Sequence, residues 1–234
     1  MDQFIGTGDR LGQVYLWDSK SGRLVHHLQG PNAYVWHVDF STDNKYIASA
    51  SSDHNVRIWS TKTGALIHTF EGHTDDVTAV AFTSSNLLLS AGFDDRIILW
   101  DVAQQRRLAS SVASHQFGIA TGGLHVSPNN DVFITVGAPS QISSTSVSVW
   151  DARTLKNRGE LLDMSASIDE TAFSRDGKAL FVAKWDRSIV TWDIKNAKLL
   201  NLLKGHADYV RCLSVSPDGA GPARTLGNLG WRDK

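Results

Sequence analysis

His73, Ser90 and Asp94 are the residues whose types invite a chemical reading. A serine, a histidine and an aspartate together can build a hydrolase triad, in which the imidazole takes the hydroxyl proton and the carboxylate orients the imidazole. No G-x-S-x-G elbow presents the serine as a nucleophile. The chain has nine histidines, but none form an H-x-x-x-H pair on one element, and Cys212 is its single cysteine. That pattern predicts no metal site. Gly6-Thr7-Gly8 with Gly12 faintly resembles a dinucleotide loop, yet a strand pattern follows it where a helix is required. There is no G-x-x-x-x-G-K-[ST] loop. The expectation is therefore no catalytic set, no cofactor and no small-molecule substrate.

The elements that must position these residues are short. From Gly72 to Asp101 the chain reads GHTDDVTAVAFTSSNLLLSAGFDDRIILWD. It holds three apolar runs, Val77–Phe82, Leu87–Ala91 and Arg96–Trp100, separated by Ser, Asn, Gly and Asp. Such runs predict strands of an antiparallel meander. Trp17, Trp59, Trp100, Trp150 and Trp192 recur at intervals of 42, 41, 50 and 42 residues. Four are followed by Asp (Asp18, Asp101, Asp151 and Asp193), and Ser60 follows Trp59.

The opening Gly72-His73, the closing Trp100-Asp101 and the recurring Trp-Asp register resemble the WD-repeat family. The resemblance covers roughly Phe4 to Gly219. It implies an all-β fold, a β-propeller of four-stranded blades. The blades are expected at about 4–29, 30–71, 72–113, 114–162 and 163–204, with a partial one at 205–219, so that 1–219 is propeller and 220–234 a tail without repeat pattern. Trp231 lies off the register. The first blade reads as lacking its innermost strand, and Val210–Val215 reads as the inner strand of a sixth. A seven-blade ring needs about 290 residues, and the chain has 234. The expectation is a partial propeller, an open arc or a truncated ring. The alternative is closure, with Val210–Val215 pairing to Phe4–Thr7. The fourth repeat is irregular, with a glycine-rich first run at Ile119–Val126 and an inserted Ser-rich loop, Ala138–Thr145. In the fifth, Ser174-Arg175-Asp176-Gly177-Lys178 predicts a tight hairpin with Gly177 at positive φ.

In this family a polar chain ties each blade together, and here it would run through His73, Ser90, Asp94 and Trp100. The other blades keep only parts of it. Ser49, Asp53 and Trp59 lack a histidine, Asp186 and Trp192 stand with Met164 and Val182 in the other two places, and His115 and Trp150 lack the aspartate. The pattern predicts a weaker hold on Trp150 than on Trp100. The residues flanking the start of each inner strand would ring the channel mouth: Tyr34 and Trp36, Asp76 and Thr78, Ser167 and Asp169, Tyr209 and Arg211. Tyr, Trp and Arg are the types that dominate interface energetics.

The resemblance implies a non-catalytic protein–protein interaction scaffold or adaptor whose partners are other proteins or a multiprotein complex. A second reading rests on Trp150-Asp151-Ala152-Arg153, the W-D-x-R box that in the family marks substrate receptors of cullin-RING ubiquitin ligases; Ser144 stands where an acidic residue is expected. A propeller-based enzyme is the alternative of another class. Lys and Arg number 23 against 24 Asp and Glu, for a net charge of −1. No basic block suggests nucleic acid or a membrane surface. One cysteine and no signal peptide pattern suggest an intracellular protein, cytoplasmic, nuclear or both.

Overall fold

The computed structural model describes residues 3–30, 32–113, 116–117, 123–138, 145–161 and 167–216. The inserted loop falls largely outside the described residues, as do His115, Met164 and the tail.

Every described element is a strand, and the strands fall into five antiparallel sheets in chain order. The first sheet holds β1 (Phe4–Gly8), β2 (Val14–Asp18) and β3 (Leu24–Leu28). The second holds β4 (Val35–Phe40), β5 (Tyr46–Ser51), β6 (Val56–Ser60) and β7 (Leu66–Phe70). The third holds β8 (Val77–Phe82), β9 (Leu87–Gly92), β10 (Arg96–Asp101) and β11 (Arg106–Val112). In the fourth, two short strands, β12 (Gln116–Phe117) and β13 (Leu124–Val126), pair with β14 (Val132–Ala138), which continues to β15 (Ser146–Asp151) and β16 (Asn157–Leu161). The fifth holds β17 (Ile168–Phe173), β18 (Ala179–Lys184), β19 (Ile189–Asp193) and β20 (Lys198–Leu203).

Two kinds of turn recur, each written in short polar side chains. Between first and second strands, Ser41, Ser127 and Ser174 donate from Oγ to the Oδ1 of Asp43, Asn129 and Asp176 at 2.7–2.8 Å. The same hydroxyls accept the backbone N–H of Tyr46, Val132 and Ala179. The next turn position is left-handed, filled by Asn44, Asn130 and Gly177, the last with φ 69°. Asn and Gly tolerate that region where most residues do not. After the third strand, the aspartate of each Trp-Asp pair accepts a backbone N–H three residues on: Asp18 from Ser21, Asp101 from Gln104, Asp151 from Thr154 and Asp193 from Asn196. Ser60 does the same for Thr63 through its hydroxyl. The dipeptide's second residue thus holds the turn to the outermost strand.

The sheets stack face to face. Val14, Leu16 and Leu28 of the first pack on Val35, Ile47 and Trp59 of the second. Ala48, Ala50, Ile58 and Phe70 of the second meet Val77, Val80, Leu88 and Trp100 of the third. Leu89, Ile97 and Leu99 meet Leu124, Phe133 and Trp150. Ile134, Val147 and Leu161 meet Ile168, Leu180 and Trp192. Each indole from the second blade on therefore fills the seam toward the preceding blade. Fully burying one such side chain contributes about 1.5–3 kcal/mol. β4 packs beside β8 and β8 beside β13, so the inner strands run side by side through the arc.

Of the glycine-rich run Ile119–Val126, residues 119–122 lie outside the described residues; Leu124–Val126 pairs with β14, as Gln116–Phe117 does separately. One expectation changes. Val210–Val215 is not a strand: among the described residues it joins no ladder, and β1 pairs with β2 alone. Val210 is nonetheless buried, against Ala183 and Ile189, with Leu213 beside it. Its side chain occupies the seam that an inner strand would fill. A strand also needs a backbone partner, and among the described residues no second strand beside it supplies one. The described sheets do not close into a ring.

Candidate functional site

Two arrangements answer to the residues singled out above. The first is the buried polar chain of the third blade. His73 Nδ1 lies 2.9 Å from Asp94 Oδ1, His73 Nε2 lies 2.7 Å from Ser90 Oγ, and Trp100 Nε1 donates to Ser90 Oγ at 2.8 Å. An ionised carboxylate only accepts, so Nδ1–H donates to Asp94, and Nε2 accepts the Ser90 hydroxyl proton. Ser90 Oγ then accepts from the indole, and all four side chains are satisfied. Burial alone would raise the Asp94 carboxyl. The His73 ring and the backbone N–H groups of Thr74 and Arg96 outweigh it and hold the group below its ordinary value.

The order of contacts is that of a hydrolase triad, but its setting is not. Ser90 is 0% and His73 7% exposed, so no substrate carbonyl reaches the hydroxyl. The neighbouring blades hold less of the chain. In the second, Ser49 Oγ and Trp59 Nε1 are buried without hydrogen-bond partners among the described residues, and Asp53 turns to Arg57 at 2.6 Å. In the fifth, Trp192 Nε1 has no described partner either. The fourth departs from expectation, because Trp150 Nε1 donates to Thr135 Oγ1 at 2.8 Å. A threonine on the second strand keeps that indole tied even without an aspartate.

The second arrangement is the rim where inner strands begin. At the start of β4, β8 and β17 the pairing slips by one residue, leaving Trp36, Thr78 and Asp169 out of the ladder. A β-bulge of this kind bends the strand and redirects the extra side chain. Trp36 stacks on Tyr34 at 4.4 Å, meets Phe93 edge-on at 5.9 Å and donates its Nε1–H to Asp76 Oδ2 at 3.1 Å. The Arg10 guanidinium lies 5.8 Å above the Tyr34 ring, within cation–π range. Thr78 is spent internally, its hydroxyl reaching Ala91 O at 3.4 Å. Asp169 is half-buried. Tyr209 is half-exposed and packs at 5.6 Å on Trp185, while Arg211 is exposed.

The structure thus gathers Tyr34, Trp36 and Asp76 into one cluster and places Tyr209 in another with Trp185. Phe93, Trp185 and Arg10 were missed by the sequence reading. A signal for the first two exists in the repeat register, because each stands just before the turn aspartate, as Ser52 does. Their backbone N–H groups repeat one bond: Ser52 to Tyr34 O, Phe93 to Asp76 O and Trp185 to Ser167 O, all 2.9 Å. That bond brings the second-strand turn against the inner-strand entry in every one of these blades. Elsewhere, Asp151 is engaged by Arg158 Nη2 at 2.6 Å, which with the Thr154 and Arg153 N–H groups holds its carboxyl well below the usual range. Arg153 itself is exposed beside the buried Trp150.

Five antiparallel sheets stacked side by side, each with an indole in the same strand position and the last four of these buried, define a partial β-propeller. The sequence pattern described as WD domain, G-beta repeat matches residues 22–60, 64–101 and 197–220. These three matched segments carry WD repeats. The chain is 27% identical over 88% of its length to autophagy-related protein 16 of Arabidopsis thaliana, covering 40% of that protein. It is 28% identical over 98% of its length to apoptotic protease-activating factor 1 of Homo sapiens, covering 18% of it. A shorter match, 30% identical over 34% of the chain, is to WD repeat and SOCS box-containing protein 1 of Xenopus tropicalis, of which it covers 19%. The chain therefore spans well under half the length of these relatives.

Proposed function

We propose that this chain is a non-catalytic interaction scaffold that engages partner proteins through the channel-mouth rim. The observation that carries the reading is the bulge at Trp36, which takes an indole out of the strand ladder and sets it among Tyr34, Phe93 and Asp76. Aromatic side chains offer large contact area at small entropic cost, and carboxylates at their edge give direction. The burial of Ser90 supports the absence of hydrolase chemistry. The single free thiol, Cys212, fits a reducing compartment such as cytoplasm or nucleus.

The test is quantitative pull-down with wild type and the Tyr34→Ala/Trp36→Ala double variant, both checked for unchanged folding. Loss of a subset of partners is the expected result. Retention of every partner at wild-type level overturns the reading. A second reading, receptor for a ubiquitin ligase, is favoured by the exposed Arg153 and by the relative whose name includes a SOCS box. Arg153→Ala would then release a cullin adaptor and nothing else.

A further inference from the structure

We propose that His54, Asp75 and Asp76 form a divalent transition-metal site that staples the second blade to the third. The ligand atoms of these three side chains all lie within 4.8 Å of one another. They arrive from separate blades. His54 sits in the turn between β5 and β6, and the two aspartates sit in the loop that enters β8. One imidazole and two carboxylates are a donor set suited to zinc or manganese, and the imidazole sets it apart from sites built for magnesium or calcium.

The three groups converge without satisfying one another. Among the described residues neither His54 ring nitrogen has a hydrogen-bond or ion-pair partner, and no Lys or Arg pairs with Asp75 or Asp76. Two adjacent carboxylates facing an imidazole beyond bonding distance leave room for a cation between them. Metal–ligand bonds of about 2.0–2.2 Å would draw the ligand atoms closer together, a movement within reach of side-chain rotation. The outer positions are already fixed. Trp36 Nε1–H holds Asp76 Oδ2, leaving the other oxygen of that carboxylate for a ligand bond. Phe93 N–H holds the Asp76 carbonyl, and Asp76 N–H holds Asp75 Oδ1. Such outer partners orient metal ligands. His54 is held in the left-handed region, φ 67°, by the hairpin it occupies, so its Cα direction is set by the turn.

Three protein ligands leave at least one coordination position for water or a partner's side chain, next to Tyr34 and Trp36. The experiment is calorimetric titration of the metal-stripped full chain with Zn2+ alone, alongside His54→Asn and Asp75→Asn. Asparagine tolerates the left-handed turn, so His54→Asn removes the imidazole while keeping the hairpin. Circular dichroism checks that both variants fold. Wild type is expected to show a saturable equivalent that His54→Asn weakens at least tenfold and that a tenfold excess of Mg2+ does not displace. Saturating Zn2+ should raise the wild-type Tm by about 5 °C, and that of His54→Asn by less. Co2+ in place of Zn2+ should give visible d–d bands that vanish in His54→Asn. Identical titration curves for wild type and His54→Asn overturn the proposal, as does the absence of saturable binding to wild type at millimolar Zn2+.

Discussion

Trp100 and Ser90 meet at 2.8 Å across two neighbouring strands, and the serine hydroxyl that accepts the indole N–H is the one His73 orders from its other side. In the preceding blade the corresponding pair, Trp59 and Ser49, is equally buried and makes no such bond. The same side-chain types in the same strands therefore end in two different electrostatic states. The third blade also has His73 ordering that hydroxyl, and the second has no counterpart, although an indole can bond its second-strand hydroxyl without one, as Trp17 Nε1 does to Thr7 Oγ1 at 3.0 Å.

Replacing each indole by phenylalanine separates these states. Trp100→Phe removes a buried hydrogen bond, whereas Trp59→Phe removes an N–H that already lacks a partner. Both leave a cavity of similar size. Trp100→Phe is expected to cost about 1–2 kcal/mol more, read from urea unfolding midpoints of the two variants. Equal costs would mean that the network contributes nothing.

Leu161 and Leu203 hold equivalent places opposite Val147 and Ile189 in their outermost strands. Leu161 is 2% exposed in the seam with the fifth blade, whereas Leu203 is 38% exposed on a face no described sheet covers. Leu161→Ala should cost about 2–5 kcal/mol and Leu203→Ala under about 1 kcal/mol. Thermal unfolding of the two variants checks whether the seam, and not strand membership, carries the stability.

The aspartate that follows each blade tryptophan makes a separate prediction. Asp101→Ala strips the acceptor from the Gln104 N–H and should cost about 1 kcal/mol. Asp101→Ser should restore most of it, because Ser60 already performs this task for Thr63. A serine variant as unstable as the alanine one would count against the turn-holding role.

His125 predicts a pH dependence. Burial, with His37 nearby, pushes its imidazole down to about 4. The unfolded chain protonates this histidine near its ordinary value while the folded one resists. Its contribution is thus complete above about pH 6.5, falls as the pH drops, and is lost by about pH 4, a change of up to about 3 kcal/mol. Asp94 and Asp43 act lower. Both carboxyls are held below their ordinary values, Asp43 at about 2, so their stabilisation fades only as the pH falls below about 4. Denaturant midpoints between pH 7 and 4 should flatten in His125→Gln. An unchanged slope would exclude this histidine as the source.

Much of this molecule is legible in local patterns. The strand runs, the Trp-Asp spacing and the Ser-x-Asp and Asp-Gly turns act over a few residues, so the antiparallel blades follow from short-range chemistry. The order His73, Ser90, Asp94 and Trp100 is readable for the same reason, since one meander brings all four together. Other features depend on what lies across a seam. Whether Leu161 is covered while Leu203 is left exposed is set by the presence or absence of a neighbouring sheet. The same holds for Val210–Val215: its alternation is that of a strand, but a strand is a property of two segments. The bulges that redirect Trp36, Thr78 and Asp169, and the approach of His54 to Asp75 and Asp76, arise where one blade's turn meets the next blade's entry. Side-chain type and spacing specify a blade; the contacts between blades exist only once the sheets are stacked, because burial and bonding across a seam depend on both faces at once.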